Sequence, residues 1–471
     1  MKEEKTEFER RCAALDEQLG VGRSFDMVGR SLVIGGRRAK LWVVNGYAQD
    51  SMLERIIAAW MPLASLDGVA DLQTFVERFV TACDAAVETA RDKAVTAVFA
   101  GKTLLVVEGY PGGVLLEAKQ FPLRSVEEPD TSRVLRGSHD GFVENIMKNA
   151  ALLRRRRIRT PELTLERLTA GERSKTDIAL CYLAGEADPD LVEELRRKIN
   201  AIDVRSVSMS QESIAEAIAP RQWYSPFPKV RYTERPDVAT ASLMEGDVLV
   251  MVDNTPAVMI LPTSFFRFAE EVNDYYFPPL IGTYLQLVRV TVLLLTVFIT
   301  PLWYLLAKEP GRVHENLHFL LIRDEYAVPL IVQLLLVELI IDLLKLASLN
   351  TPNALSSSFS MLGALILGDF AVQSRWLVPE VLVYMAFVAI ANYAQPSYEM
   401  GYAFKLCRMG LLVCIWLADW WGFAVGVAGI LTLVAVTKPL AGKGYLYPLI
   451  PFNGKALKAL LHRRPIRRDN T

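Results

Sequence analysis

The distribution of apolar and polar positions changes character near residue 280. Before it, short β-branched and apolar runs alternate with polar, breaker-rich stretches; after it, long uninterrupted apolar runs dominate. In the first part, Ser31–Gly35 and Lys40–Asn45 are β-branched runs joined by Gly35-Gly36, a hairpin signal. Apolar residues then fall at helical spacing over Ser51–Met61, and a further helix is predicted over Leu72–Lys93. A second hairpin is predicted from Ala97–Phe99 through the turn at Gly101 to Leu104–Gly109 and Gly113–Ala118. The polar stretch from Pro122 onward reads as a linker. Beyond it the pattern predicts a helix over Gly141–Leu153 and a buried strand over Asp177–Gly185. Asp188 and Pro189 are N-cap and first-turn residue types opening another helix. A short strand at Val204–Val207 follows, then a hairpin of Asp247–Asp253 and Ala257–Pro262 around Asn254-Thr255-Pro256.

The second part holds five hydrophobic segments. Val290–Ala307 has no charge over its 18 residues, long enough to span ~30 Å of hydrocarbon. Arg289 and Lys308 bracket it, Trp303 and Tyr304 sit near one end, and Pro301 predicts a kink that a membrane helix tolerates. Ala327–Leu349 is apolar but carries Glu338, Asp342 and Lys345. The two acids are four apart and share a helix face; facing lipid they would be costly. Asn353–Ser374 is rich in small residues and carries Asp369. Leu377–Tyr398 and Met409–Thr437 complete the set, the last interrupted only by Asp419 among Trp416, Trp420 and Trp421.

Charge separates the halves in the same way. Residues 281–471 carry 16 Lys/Arg and 11 Asp/Glu, whereas residues 1–280 carry 36 and 42, so neither part has the basic excess of a nucleic-acid-binding protein. The N-terminus is charged without an apolar core, unlike a signal peptide. The five scattered cysteines form no disulfide framework, which fits a reducing compartment. The tail carries Lys443, Lys455, Lys458, Arg463, Arg464, Arg467 and Arg468 against Asp469 alone, which places it in the cytoplasm by the positive-inside rule. With both termini inside, crossings must be even. Either one segment does not cross, with the charged Ala327–Leu349 expected as an in-plane or pore-facing helix, or Met409–Thr437 folds back at Asp419–Gly422.

Candidate chemistry is sparse. His314-Glu315-Asn316-Leu317-His318 matches HExxH, which on a helix would put two zinc ligands on one face with Glu315 as base. It lies in a short interhelical loop with no third ligand in sequence, so a membrane metalloprotease is the weaker alternative. Gly101-Lys102-Thr103 resembles the end of a P-loop, but Thr96 stands where its first Gly is required. No metal site, cofactor or catalytic centre is expected. The intramembrane acids Glu338, Asp342 and Asp369 are the ion-path or pore candidates; their structural alternative is an interface, or pairing with Lys345 or Arg375. The basic run Arg154, Arg155, Arg156 and Arg157, with Arg463 and Arg464 in the tail, supplies candidates for lipid headgroups, against an ordinary solvated helix end.

Several longer stretches resemble the GerA family of spore germinant receptor A subunits: Arg136–Leu163, Glu172–Asp203, Gly363–Glu380 and Ala389–Met409. The run Tyr224–Tyr276 is the most specific, with YSPFP, TERPDV and the VD-TP pattern around Val252-Asp253 and Thr255-Pro256. The resemblance covers roughly residues 90–450. The short N-terminal region and the ending Gly444–Pro465 point to a branch that does not sense nutrients directly. The resemblance implies an integral protein of the spore inner membrane, assembled as a homo-oligomer, a pentamer, that forms a cation channel. It further implies a small membrane partner protein, the dipicolinic acid release machinery and germinant receptors as partners, and amplification of ion release. Family A subunits that sense nutrients work with B and C subunits, which is one alternative here; a non-conducting membrane scaffold is another. Asp369 stands where family members often have an uncharged polar residue.

The expected architecture is therefore a cytoplasmic α/β N-terminal region of two small α/β subdomains (1–121 and 141–280, joined by the linker 122–140), an α-helical multi-pass membrane domain (281–441) and a basic cytoplasmic tail (442–471). The expected function is non-enzymatic.

Overall fold

The structure is a computed structural model that describes residues 6–81, 83–118, 140–155, 158–271, 277–322, 325–350, 371–442, 444–454 and 457. They form two compact units. One comprises residues 1–220, 230–263 and 439–443; the other comprises 221–229, 264–438 and 444–471.

The first unit is built from two five-stranded antiparallel sheets. The first sheet contains β1 (Met27–Ile34), β2 (Arg37–Val44), β3 (Ala85–Glu88), β4 (Thr103–Val107) and β5 (Gly113–Leu116) in the order β1-β2-β4-β5-β3. Its helices are α1 (Glu7–Leu19), α2 (Asp50–Trp60), α3 (Leu72–Phe79) and α4 (Arg91–Phe99). The strand pleat sends alternate residues to opposite faces. Leu105 and Val107 therefore pack with α2 and α3 through Leu53, Ile56 and Phe75, while Leu104 and Val106 pack with α1 and α4 through Leu15, Val95 and Val98.

The second sheet repeats this plan. It contains β6 (Leu163–Ala170), β7 (Thr176–Leu183), β8 (Arg231–Thr233), β9 (Val248–Val252) and β10 (Val258–Leu261) in the order β6-β7-β9-β10-β8. Its helices are α5 (Ile146–Arg155), α6 (Pro189–Asn200), α7 (Ser210–Ile218) and α8 (Pro236–Met244). One face packs on α6 and α7, the other on α5 and α8. Each half thus runs helix, two strands, two helices, strand, helix, two strands. Asp188 caps α6 through the Asp190 amide with Pro189 in the first turn, as the sequence predicts.

Three local expectations are corrected. The predicted helix over Leu72–Lys93 is α3, the strand β3 and the start of α4; β3 is held by β5, a partner distant in sequence. Ala97–Phe99 is the end of α4 rather than a strand. Val204–Val207 is not a strand; the carbonyls of Val204 and Arg205 accept from Glu172 and Arg173. Of the predicted linker 122–140, all but Asp140 lies outside the described residues.

A buried ion pair joins the two repeats. Arg154, at the end of α5, donates to Asp26 just before β1 at 2.5 and 3.1 Å, and Asp26 also accepts from Ser24 at 2.6 Å. Asp26 and Arg154 are 0% and 1% exposed. This corrects the placement of Arg154 among the headgroup contacts: its guanidinium is in the core, over the ring of Phe99. Arg156, Arg157, Arg463 and Arg464 lie outside the described residues, and Arg155 is described by its backbone alone.

The second unit is helical. Its main elements are α9 (Pro279–Lys308), α10 (Leu330–Asn350), α11 (Pro379–Tyr393) and α12 (Tyr398–Val436). Among the described residues, α9 and α12 are long and apolar enough to cross a membrane. Ala418 and Asp419 break α12, with φ −143° and +50°. A Cβ on Gly422 would lie 1.9 Å from the Cys414 carbonyl oxygen, and one on Gly426 would lie 2.5 Å from Leu411. Val434 packs among Met400, Ala403 and Phe404. Contacts that converge on residue 418 from both sides describe a helical hairpin, so the chain folds back there. Its arms, 398–417 and 420–436, are about 30 and 25 Å long at 1.5 Å per residue.

Candidate functional site

The site is assembled from charged side chains that the helical unit buries. Glu338 and Asp342 lie one turn apart on α10, and Lys405 and Arg408 lie three apart on the first arm of α12, so each pair shares a helix face. Glu338 Oε1 accepts from Arg408 Nε at 2.7 Å and lies 2.5 Å from its terminal nitrogen. Lys405 Nζ lies 3.4 Å from the second Glu338 oxygen, donates to the Glu338 backbone carbonyl at 3.0 Å, and pairs directly with Asp342. Arg408 also donates to the Thr296 carbonyl of α9 at 2.7 Å. Two acids and two cations thus form a neutral quartet bridging three helices. Glu338 and Arg408 are each 2% exposed and Lys405 5%.

Paired charges out of water are stable only when nearly every donor and acceptor is used. The quartet meets that condition at Glu338. At Asp342 it does so in part: one oxygen holds Lys405, while buried Oδ1 has no hydrogen-bond donor among the described residues. One turn on, the Lys345 ammonium lies 5.1, 5.8 and 5.2 Å from the ring centres of Tyr393, Tyr398 and Tyr402. Ring faces attract a cation electrostatically.

Two contacts set the direction of the helices. Buried Gln333, in the first turn of α10, accepts from the Val378 amide at the start of α11 at 2.9 Å and donates to the Val328 carbonyl at 2.7 Å. Lys345, near the other end of α10, meets Tyr393 at the end of α11. The two helices therefore run parallel. α10 packs against α11 and α12, and its Leu334 and Val337 are buried in the cluster to which α9 contributes Trp303, Tyr304 and Leu305. It is thus a member of the bundle; the alternative expectation, a fold-back at Asp419–Gly422, matches the break at Ala418–Asp419. The hairpin tip is held by Lys308, paired with Asp419 and donating to the Ile415 carbonyl at 3.3 Å, and by Trp420, which donates to Glu309 at 3.2 Å.

The structure brings Glu338 and Asp342 together, as their spacing implies, and pairs them with Lys405 and Arg408. Arg375 faces Glu325. Asp369 lies outside the described residues. Lys405 and Arg408 were not anticipated; their signal is two cations three apart just before an apolar run. The HExxH stretch is not α-helical. Glu315–Leu320 is a 3-10 helix capped by His314, whose Nδ1 accepts from the Asn316 amide. At three residues per turn, positions four apart point about 120° away from each other, so His314 and His318 do not form the zinc-protease pair. No group of three metal-ligating side chains occurs among the described residues. At Gly101-Lys102-Thr103 the chain passes from α4 into β4, and Lys102 pairs with Glu117 at 2.7 Å.

Comparison with known proteins places this architecture. The model of the Bacillus/Clostridium GerA spore germination protein family matches residues 13–471. Stage V sporulation protein AF of Bacillus subtilis (strain 168) is 36% identical over 98% of this chain and 94% of its own length. Spore germination protein KA of the same organism is 27% identical over 94% and 82%. The crystal structure of the N-terminal domain of the A subunit of the Bacillus megaterium spore germinant receptor GerK3 is 26% identical, covering 55% of this chain and 95% of that one at a TM-score of 0.43. With a family match over nearly its whole length, the chain belongs to the GerA family of spore germination proteins.

Proposed function

We propose that this chain is the membrane subunit of a homo-oligomeric, pentameric cation channel that amplifies ion release during spore germination. It is read as non-enzymatic, resident in the spore inner membrane, with its N-terminal region and basic tail in the cytoplasm. A small membrane protein, the dipicolinic acid release machinery and the germinant receptors are its expected partners.

The observation that carries the reading is Asp342. It lies on a helix of an apolar bundle, its side chain is 30% exposed, and one buried carboxylate oxygen lacks a donor among the described residues. An intramembrane carboxylate is expensive, and one left with spare acceptor capacity suits transient coordination of a cation. The helix order supports an even number of crossings, because the fold-back of α12 returns the chain to the side from which that hairpin starts.

The test is ion flux from liposomes holding the full-length protein, alone and with its partner. Cation flux that falls severalfold in Asp342→Asn, with the protein still folded and oligomeric, supports the reading. Flux indifferent to Asp342 moves the path elsewhere. One observation favours a second reading, a non-conducting scaffold: Glu338 is fully engaged by Arg408 and Lys405, as a purely structural lock would be. Absence of flux under every condition would select it.

A further inference from the structure

Trp223 is 96% exposed and its neighbour Tyr224 is 47% exposed. Both belong to the segment 221–229 of the helical unit. This segment is not loosely placed. Gln222 donates to the Val436 carbonyl at 3.1 Å and accepts from the Lys438 amide at 2.9 Å, while the Ser225 and Thr437 hydroxyls lie 2.7 Å apart. Phe227 is buried against Phe404, Phe265 and Tyr445. The backbone on either side of Trp223 is thus fixed to the last turn of α12, and two large amphipathic rings project from that level into the surroundings. They meet edge to face at 6.4 Å.

Two features identify the surroundings. The exposed apolar side chains Leu431 and Val436 continue down the same arm of α12, so the pair caps an apolar helix surface where that surface ends. The rings are also flanked by exposed cations, Arg221 before them and Lys438 across the hydrogen-bonded contact, and neither 221–229 nor 420–438 contains an acid. Indole and phenol rings with one apolar body and one polar atom favour the boundary between hydrocarbon and headgroups. Lysine and arginine at that boundary favour anionic lipid.

We infer that Trp223 and Tyr224, with Arg221 and Lys438, form an interfacial anchor that docks on the headgroup layer of an anionic bilayer at the level where α12 ends. Gln222 is the positioning residue that sets its depth. The inference rests on the helical unit lying in a membrane, so the experiment must separate the two failures.

The full-length protein is reconstituted in phosphatidylglycerol-containing vesicles carrying bromine either near the headgroup or deep in the acyl chain. The emission of Trp223 is taken as the difference between wild type and Trp223→Phe. The emission of the exposed Trp416 and Trp421 of α12, taken in the same way as the difference between wild type and Trp416→Phe/Trp421→Phe, reports on the helical unit. The expected result is stronger quenching of the Trp223 component by shallow than by deep bromine. Gln222→Ala or the pair Arg221→Ala/Lys438→Ala should weaken the shallow quenching while leaving the signal from Trp416 and Trp421 unchanged. Unquenched, water-like Trp223 emission alongside quenched Trp416 and Trp421 overturns the anchor and leaves the membrane reading intact. Unquenched, blue-shifted Trp223 emission overturns it in favour of a protein contact. No quenching of any tryptophan overturns both.

Discussion

The quartet of Glu338, Asp342, Lys405 and Arg408 makes the sharpest quantitative demand on the structure. Replacing Glu338 with Gln leaves the remaining three groups with a net positive charge, and Arg408 keeps the Thr296 carbonyl and a neutral amide oxygen but loses its carboxylate partner. Replacing Arg408 with Met leaves a net negative charge, with Glu338 dependent on Lys405 at 3.4 Å. At that separation and an effective dielectric near 20, a unit charge pair interacts by about 5 kcal/mol; removing one partner of a buried pair costs about 3–5 kcal/mol once desolvation is included. Each single substitution should therefore destabilise the helical unit by that amount, with Glu338→Gln the worse because Lys405 cannot compensate a lost acid. The double substitution leaves the neutral pair Asp342 and Lys405, so its effect should fall short of the sum by about 2 kcal/mol or more. Unfolding of the purified full-length protein in mixed micelles, followed for all four members of the cycle, measures this. If either single change costs less than about 1 kcal/mol, or the two effects add, the quartet is not desolvated. It would then behave as a surface ion pair does, and Glu338 would face water. That outcome would refute the lock and place Glu338 itself on a hydrated path.

Other consequences follow from backbone, packing and charge. Asp419 stands at φ +50°, a region that suits glycine and costs other residues about 1–3 kcal/mol, while its pair with Lys308 is half-exposed and screened; Asp419→Gly should stabilise and Asp419→Ala destabilise, and thermal denaturation in nanodiscs that moves both the same way would contradict the strain. Gly422→Ala should cost about 1–3 kcal/mol or more by overpacking, because its new methyl meets the Cys414 carbonyl; an unchanged melting curve would deny the close approach of the two arms. In the first unit, hydrogen bonds from Arg38 hold Glu9 and Glu108 below the ordinary carboxylate range. Lowered folded values mean stability present above the usual 4.5 and lost as pH falls through the lowered ones; the acid slope of unfolding read from Trp42 and Trp60 should flatten in Arg38→Met, and a slope that persists unchanged would assign it to other carboxylates.

Much of this was legible in the sequence, and the parts that were not share a cause. Amphipathic helices, Gly-Gly turns and the Asp188-Pro189 cap are local signals, and they are where the sequence reading and the structure agree. The duplication of the α/β half was not seen. Strands such as β4 and β9, sandwiched between helices, are buried at every position, so they show no alternation to compare between repeats. β3 was absorbed into a helix because the feature that makes it a strand is its pairing with β5. The same holds for the charges. The spacing of Glu338 and Asp342 marks them as expensive, but their partners come from a helix some 70 residues away, beyond the reach of any local pattern. A physical rule would have found them. Charges buried in an apolar bundle must nearly cancel, so two acids one turn apart on one apolar helix call for two cations on one face of another. Lys405 and Arg408, three apart beside the apolar run of α12, have a spacing that matches that demand, and their burial turns a cost carried by α10 into a joint between α9, α10 and α12.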